Sequence, residues 1–332
     1  MKKFILVLVL FLGIVFIAIS FSEIETIVKT LRKSHVGYLL LAVLVQTIWF
    51  LTSARMYKSV YKLLNMEESL LALTEIATAA NFVNIVTASR GVGGVALFAS
   101  EAKKRGHITG KVTVAAALFL VLDQASFLVI LALGLLILAQ RNDLGASEIL
   151  ASLFLLVVTL IYAAVLYIGY RSETQLGGLL AKLAHMVNRV TGFFGRKEEY
   201  VHEARAHEFA HEVAEGFTHL KGRPISMVRP VMWGILDKVL LMLILVCAFL
   251  SFEVPFHAEI IIAGFSVAFL FLTVSPTPYG IGIVEGFMPI ALASLGVDWS
   301  QAVVITLAYR TVTFWYPLAI GAWAFRSLHA DK

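Results

Sequence analysis

The 332-residue chain has one cysteine, Cys247, and it lies inside an apolar run. That excludes an intrachain disulfide framework and a four-cysteine zinc site. Charge is scarce as well: Asp, Glu, Lys and Arg make up 15% of the residues, against about 25% in a soluble domain. No Walker A loop, G-x-S-x-G elbow or Cys/His dyad occurs, so nucleotide hydrolysis and nucleophilic catalysis have no recognisable machinery. Between residues 252 and 309 there is no Lys or Arg at all.

In place of charge the chain carries long apolar runs, with a hydrophobic fraction of 59% and a mean hydropathy of +0.86. An α-helical span needs about 20 mostly apolar residues. Stretches of that kind cover 4–21, 37–54, 69–89, 112–139, 148–170, 227–251, 258–274 and 300–325. Their character is helical rather than alternating, which excludes a β-barrel and predicts an all-α, polytopic membrane bundle. The opening MKKFILVLVLFLGIVFIAIS has the basic start of a signal peptide. Its apolar core exceeds the usual 7–15 residues or so and reads as a retained signal-anchor helix.

Basic residues cluster at Lys2/Lys3, at Arg55/Lys58/Lys62, at Lys103/Lys104/Arg105/Lys111 and across 171–229. The positive-inside rule puts these segments, and with them the N terminus, in the cytoplasm. Only one apolar stretch, 69–89, separates the second cluster from the third, so a single crossing would leave one of them outside. A broken, re-entrant element near 69–100 resolves the conflict, with SRGVGG at residues 89–94 as its turn. The same parity argument calls for a second broken element near 275–297, around SPTPYGIGIVEG. Non-helical backbone at membrane depth needs protein or a water-filled cavity to satisfy its polar groups, so both breaks predict an internal cavity.

The breaks resemble each other. Gly91-x-Gly93 precedes Asp123, and Gly280-x-Gly282 precedes Arg310, at similar distances along the chain. Interrupted segments at matching positions of two halves point to a midplane transport site, and an inverted repeat is expected. The whole of 1–332 then forms one transmembrane domain, with a first half at about 1–170, a cytoplasmic amphipathic linker at 171–223 and a second half at 224–325. In the linker Val201, Phe209, Val213, Phe217 and Leu220 recur at helical spacing.

That linker also holds HEFAH at 207–211, which matches the H-E-x-x-H zinc pattern. The dipeptide His-Glu occurs three times nearby and no third ligand follows. A surface helix therefore reads better than a metalloprotease, and no metal or other cofactor is expected. The charges inside apolar spans are Asp123, Asp237, Lys238, Glu285 and Arg310, and each should face the bundle interior with a partner. Asp237 and Lys238 lie about 100° apart on a helix and are expected to address different neighbours.

Pro276-x-Pro278-x-Gly280-x-Gly282-x-x-Glu285, then Leu295-Gly296-Val297, Tyr309-Arg310 and Gly321, give the chain a specific likeness. It resembles the lysylphosphatidylglycerol synthase transmembrane-region family, a flippase-like family that includes the membrane half of the bacterial multiple peptide resistance factor. NFVNIVTASRGVGGVALFASEAKKRG is similar to the family's first broken motif, with Ala88, Ser89 and Arg90 where a proline is usual; Asp123-Gln124 stands where relatives often carry Glu-Arg. The resemblance implies two re-entrant elements and movement of a lipid headgroup between leaflets, and it does not extend to aminoacyl transfer. The expected substrate site comprises Arg310, Glu285, Pro276, Pro278, Gly280, Gly282 and Tyr309, with Arg90, Gly91, Gly93, Gly94 and Asp123 from the first half. Arg310, and with it Arg90, would meet the phosphate of an anionic lipid, and Glu285 would balance Arg310 in the empty site. The expected partner is a membrane lipid with a phosphate headgroup, not a nucleic acid; a homo-oligomer or a lipid-synthesis enzyme partner is also consistent with this reading. A lipid-binding regulatory subunit that transports nothing is the alternative.

Overall fold

The computed structural model describes residues 34–87, 92–179 and 227–330, together with 181, 182 and 185. The signal-anchor stretch 4–21, the turn residues Arg90 and Gly91, and HEFAH lie outside the described residues. Those described form α-helices and no strand. The main helices are α1 (Val36–Leu63), α2 (Leu70–Thr87), α3 (Val92–Lys104), α4 (Thr109–Gln140), α5 (Ala146–Arg171), α6 (Val228–Ser251), α7 (Ala258–Val274), α8 (Val284–Ser294), α9 (Trp299–Arg310) and α10 (Tyr316–Ala330). Among the described residues six helical stretches are long and apolar enough to cross a membrane, α9 and α10 counting as one because a π-helical turn, Thr311–Trp315, joins them.

Helix α1 runs nine residues past the end expected from hydropathy, carrying Arg55, Lys58 and Lys62 with it. Long basic side chains are good helix formers, and their stems lie along apolar surface while the charge reaches water, so charge does not end the helix. What ends it is backbone chemistry: Asn65 takes a left-handed conformation just beyond the terminus, as Asn142 does after α4. After α7 the chain stops because Pro276 and Pro278 cannot donate and force Ser275 and Thr277 into extended backbone. Tyr279 (φ 49°) and Gly280 (φ 74°) then turn left-handed. Only glycine suits position 280, since a Cβ there would lie 2.7 Å from Val284 and 3.1 Å from the Leu272 backbone.

Element lengths follow the same order twice: 28, 18, 13 and 32 residues for α1 to α4, then 24, 17 and 11 for α6 to α8, and 32 for Trp299–Ala330. The packing pairs correspond too. Helix α1 packs on α6, α2 on α10, and α7 on α4. At two of these crossings a glycine admits the neighbour's backbone. A Cβ on Gly321 would meet Phe82 Cβ at 2.6 Å and Thr78 O at 2.9 Å; one on Gly134 would run into the Ser266 side chain beside Ile262 O. The step along the chain from Gly134 to Gly321 nearly equals the steps from Thr78 to Ile262 and from Phe82 to Ser266, so each crossing has its counterpart. Lipid tails are as apolar as the helices, so association rests on such close approach. The buried apolar side chains form two clusters, one on α1 to α4 and α10, the other mainly on α4 and α6 to α9.

Candidate functional site

Between the two clusters lies a cavity of about 370 Å³. Helix α1 presents Trp49, Phe50, Ser53 and Tyr57 to it, a single helical face. Asn81 and Asn84 come from α2, Phe119, Asp123, Gln124 and Phe127 from α4, Asp237 and Lys238 from α6, Phe269 from α7, and Ser275, Thr277 and Tyr279 from the second break. The fifth helix closes the remaining side with Phe154, Leu155, Val158 and Tyr162. Phe154 and Tyr162 are also exposed on the outer surface. Helix α5 packs on α4 and α7, and α2 on α1, α3 and α10; among the described residues no packed interface joins α2 to α5. Among those residues no packed interface between α2 and α5 therefore closes the cavity on that side.

A three-membered charge cluster forms part of the wall. Lys238 Nζ donates to Asp123 Oδ1 at 2.5 Å and to Asp237 Oδ2 at 3.3 Å, and Ser53 Oγ donates to Asp237 Oδ1 at 2.6 Å. Asp237 and Lys238 thus address different neighbours, Ser53 of α1 and Asp123 of α4, as their spacing predicts; in addition the four-carbon lysine stem lets the ammonium reach back to its own helix neighbour. The ammonium also sits 4.7 Å from the Phe269 ring centroid. Lys238 and Asp237 are buried, whereas Asp123 keeps 24% of its side chain exposed. Tyr57 is stacked between Phe98 and Phe119, and Gln124 accepts from Thr159 Oγ1 at 2.6 Å.

A second charged pair lies behind the break. Arg310 Nε donates to Glu285 Oε1 at 2.5 Å, and Arg310 Nη2 to Tyr279 O at 3.1 Å. Glu285 Oε2 accepts from the Gly282 amide at 2.8 Å. One guanidinium and one carboxylate thus tie α9, α8 and the irregular backbone together. Arg310 is buried, 4.8 Å from the Phe314 ring centroid, and its Nη1 has no hydrogen-bond partner among the described residues. Neither Arg310 nor Glu285 lines the cavity; Tyr279 lies between, lining the cavity while its carbonyl rests on Arg310.

The other expected residues fall in varied places. Pro276 is exposed, Pro278 begins the short 3-10 turn after α7, and Tyr309 is buried in the second apolar cluster. In the first half the Gly94 amide donates to Asn84 Oδ1 at 2.7 Å, with the close approach a missing Cβ allows; Gly93 is half-buried beside it. Ser53, Asn81, Asn84 and Gln124 were not anticipated. Their signal was one or two polar side chains within an apolar run, which hydropathy averaging submerges.

The helices and the charged cavity define a multi-pass all-α membrane protein with a polar interior site. A model of the lysylphosphatidylglycerol synthase TM region matches residues 4–321, and the chain belongs to that family. It is similar to the UPF0104 membrane protein PH1989 of Pyrococcus horikoshii, 24% identical over 336 residues, covering 97% of this chain and 96% of the relative. No solved structure matches it. The matched region is transmembrane, without a separate synthase domain, and among the described residues no group of His, Cys, Asp or Glu could hold a metal ion. Membership supports a flippase-like transporter role with a lipid as partner.

Proposed function

We propose that the chain moves the headgroup of an anionic phospholipid, or of a lipid-linked substrate, between leaflets of the cytoplasmic membrane. The observation that carries this reading is the charged cavity between the two apolar clusters, which among the described residues no packed α2–α5 interface closes. Ionisable groups at membrane depth are costly and mark pathways rather than packing. In this reading the headgroup enters the cavity while its acyl chains stay along the apolar outer face of α5.

The two halves act as an inverted repeat. The repeated order of helix lengths, the corresponding packing pairs and the matching glycine crossings support it. At about 1.5 Å per residue, α8 alone, at 11 residues, spans only about 17 Å. That suits one arm of a re-entrant element. Basic residues at the end of α1 and around α3 face the cytoplasm, so α1 crosses inward and α6 outward.

Arg310 is the phosphate ligand of the second half. Glu285 and the Tyr279 carbonyl occupy two of its nitrogens, and Nη1 has no hydrogen-bond partner among the described residues. Displacing Tyr279, which sits in the left-handed region at φ 49°, would open the guanidinium to the cavity. Reconstitution in proteoliposomes with a fluorescent phosphatidylglycerol, read by dithionite quenching, tests the proposal. Wild type is expected to expose inner-leaflet label, and Arg310→Ala and Glu285→Ala to slow this at least tenfold. Unchanged rates in both variants remove the assigned roles, and lipid binding without movement in wild type makes the protein a regulatory lipid-binding subunit.

A further inference from the structure

The charges in the cavity do not suit an anionic cargo alone. Among the described residues Asp123, Asp237 and Lys238 are the charged ones that line it, so two carboxylates face one ammonium and this part of the wall carries a formal charge of −1. Arg310 stands outside the lining and already answers Glu285. Among the described residues the groups that face the cluster from the other elements are neutral: Ser53 and Tyr57 of α1, Phe269 of α7 and Tyr279 of the break. An anionic headgroup entering this space would add a second uncompensated negative charge in a low dielectric, where charges repel far more strongly than in water.

We propose that the cavity takes up one monovalent cation, a proton or a sodium ion, with each anionic headgroup, and that Asp123 receives it; this rests on the lipid-transport reading above. Asp237 is closed to the role, because it is buried and holds both Ser53 and Lys238. Asp123 is the carboxylate that keeps part of its side chain exposed, with Lys238 on one of its oxygens. A headgroup phosphate held by Arg310, once Tyr279 moves aside, also draws the Lys238 ammonium away from Asp123 and leaves that carboxylate to take the cation. With a monoanionic headgroup and one cation aboard, the wall and cargo together again carry −1, so the loaded and empty cavities present the same charge to the membrane. A separate feature points to an acceptor-rich ligand here: Asn81 Nδ2, buried in the cavity wall, has no hydrogen-bond partner among the described residues.

The test uses the full chain in proteoliposomes containing fluorescent phosphatidylglycerol. One arm imposes a gradient of one pH unit in sodium-free choline medium, and the other a tenfold sodium gradient at symmetrical pH. One cation per headgroup lets either gradient, if it is the coupled one, hold the label about tenfold unequally between leaflets. Asp123→Asn is expected to abolish that asymmetry and Asp123→Glu to retain it. If the label crosses in wild type but stays equally distributed under both gradients, the inference falls and the transport reading stands. Asymmetry in Asp123→Asn equal to wild type also overturns it. A binding measurement stands apart from transport. Detergent-purified protein mixed with short-chain phosphatidylglycerol in weakly buffered medium should take up about one proton, or bind about one sodium ion, per chain. Asp123→Asn should take up neither. Bound lipid with no uptake of either cation by the wild type overturns the proposal even if nothing is transported.

Discussion

Replacing Lys238 with methionine keeps the stem and removes the ammonium from between Asp123 and Asp237. At the 2.5 and 3.3 Å separations and an effective dielectric of about 20, its attractions to the two carboxylates come to about 7 and 5 kcal/mol. Desolvation of the three ions and repulsion between the carboxylates offset most of this. Removing one partner of a buried pair leaves the desolvation uncompensated, and the net loss is about 3–5 kcal/mol. The variant leaves a formal −2 in the cavity, whereas Asp123→Asn/Asp237→Asn/Lys238→Met leaves none. Thermal unfolding in detergent, followed by intrinsic fluorescence, should show the single variant melting about 5–15 °C below wild type. The triple variant should recover most of that difference. A single variant that melts within about 1 °C of wild type would refute the claim that the ammonium is held as a buried charge between two carboxylates.

Arg310→Lys should behave almost like Arg310→Ala in both stability and transport, because a lysine cannot reach Glu285 and the Tyr279 carbonyl with separate nitrogens of one rigid fork; parity with wild type in the dithionite assay contradicts this. Gly134→Ala and Gly321→Ala should each lower stability by about 1–3 kcal/mol, since the added carbon meets a side-chain Cβ or a backbone oxygen rather than a yielding side-chain end. Equal melting temperatures for glycine and alanine at either position would mean the crossing is looser than its geometry. Asp298 caps α9, accepting from the Ser300 amide at 2.9 Å, and Ser300 with the backbone amides of residues 300 and 301 holds its carboxyl below the usual carboxylate range. A depressed folded value stabilises above the unfolded value of about 3.9 and is lost as pH falls through the folded value. Asp298→Ala should therefore melt below wild type at pH 6, and the gap should narrow as pH falls below about 4; a gap that does not narrow with acid contradicts the cap.

Hydropathy located most helices within a few residues, because membrane spans need only length and apolarity. The second break was legible for a chemical reason: two prolines and two glycines in close succession cannot continue a helix. The end of α1 was not legible, since Arg55 to Lys62 break the apolar run without breaking the backbone. Partners inside the site were harder still. Sequence spacing placed Asp237 and Lys238 on different helical faces, but it does not contain the crossing of α4 over α6 or the reach of a lysine stem. Asn81 and Asn84 were hidden because an average over a whole span dilutes two polar groups, although they fall on one face of α2 with their neighbours Ala77 and Ala80. Gly321 stood out only as part of a motif. Its physical reason, the Thr78 carbonyl against α10, became visible with the packing.

The central claim is that a lipid headgroup passes through the cavity between α1, α2, α4, α6 and α7, entering beside α5. Val158→Trp places an indole in the cavity wall on the α5 side, where the native residue is half-buried and the helix packs least. In the proteoliposome assay with fluorescent phosphatidylglycerol, this substitution should cut the rate of leaflet exchange at least tenfold while leaving the melting temperature unchanged. Exchange at the wild-type rate in a well-folded Val158→Trp protein would contradict the pathway.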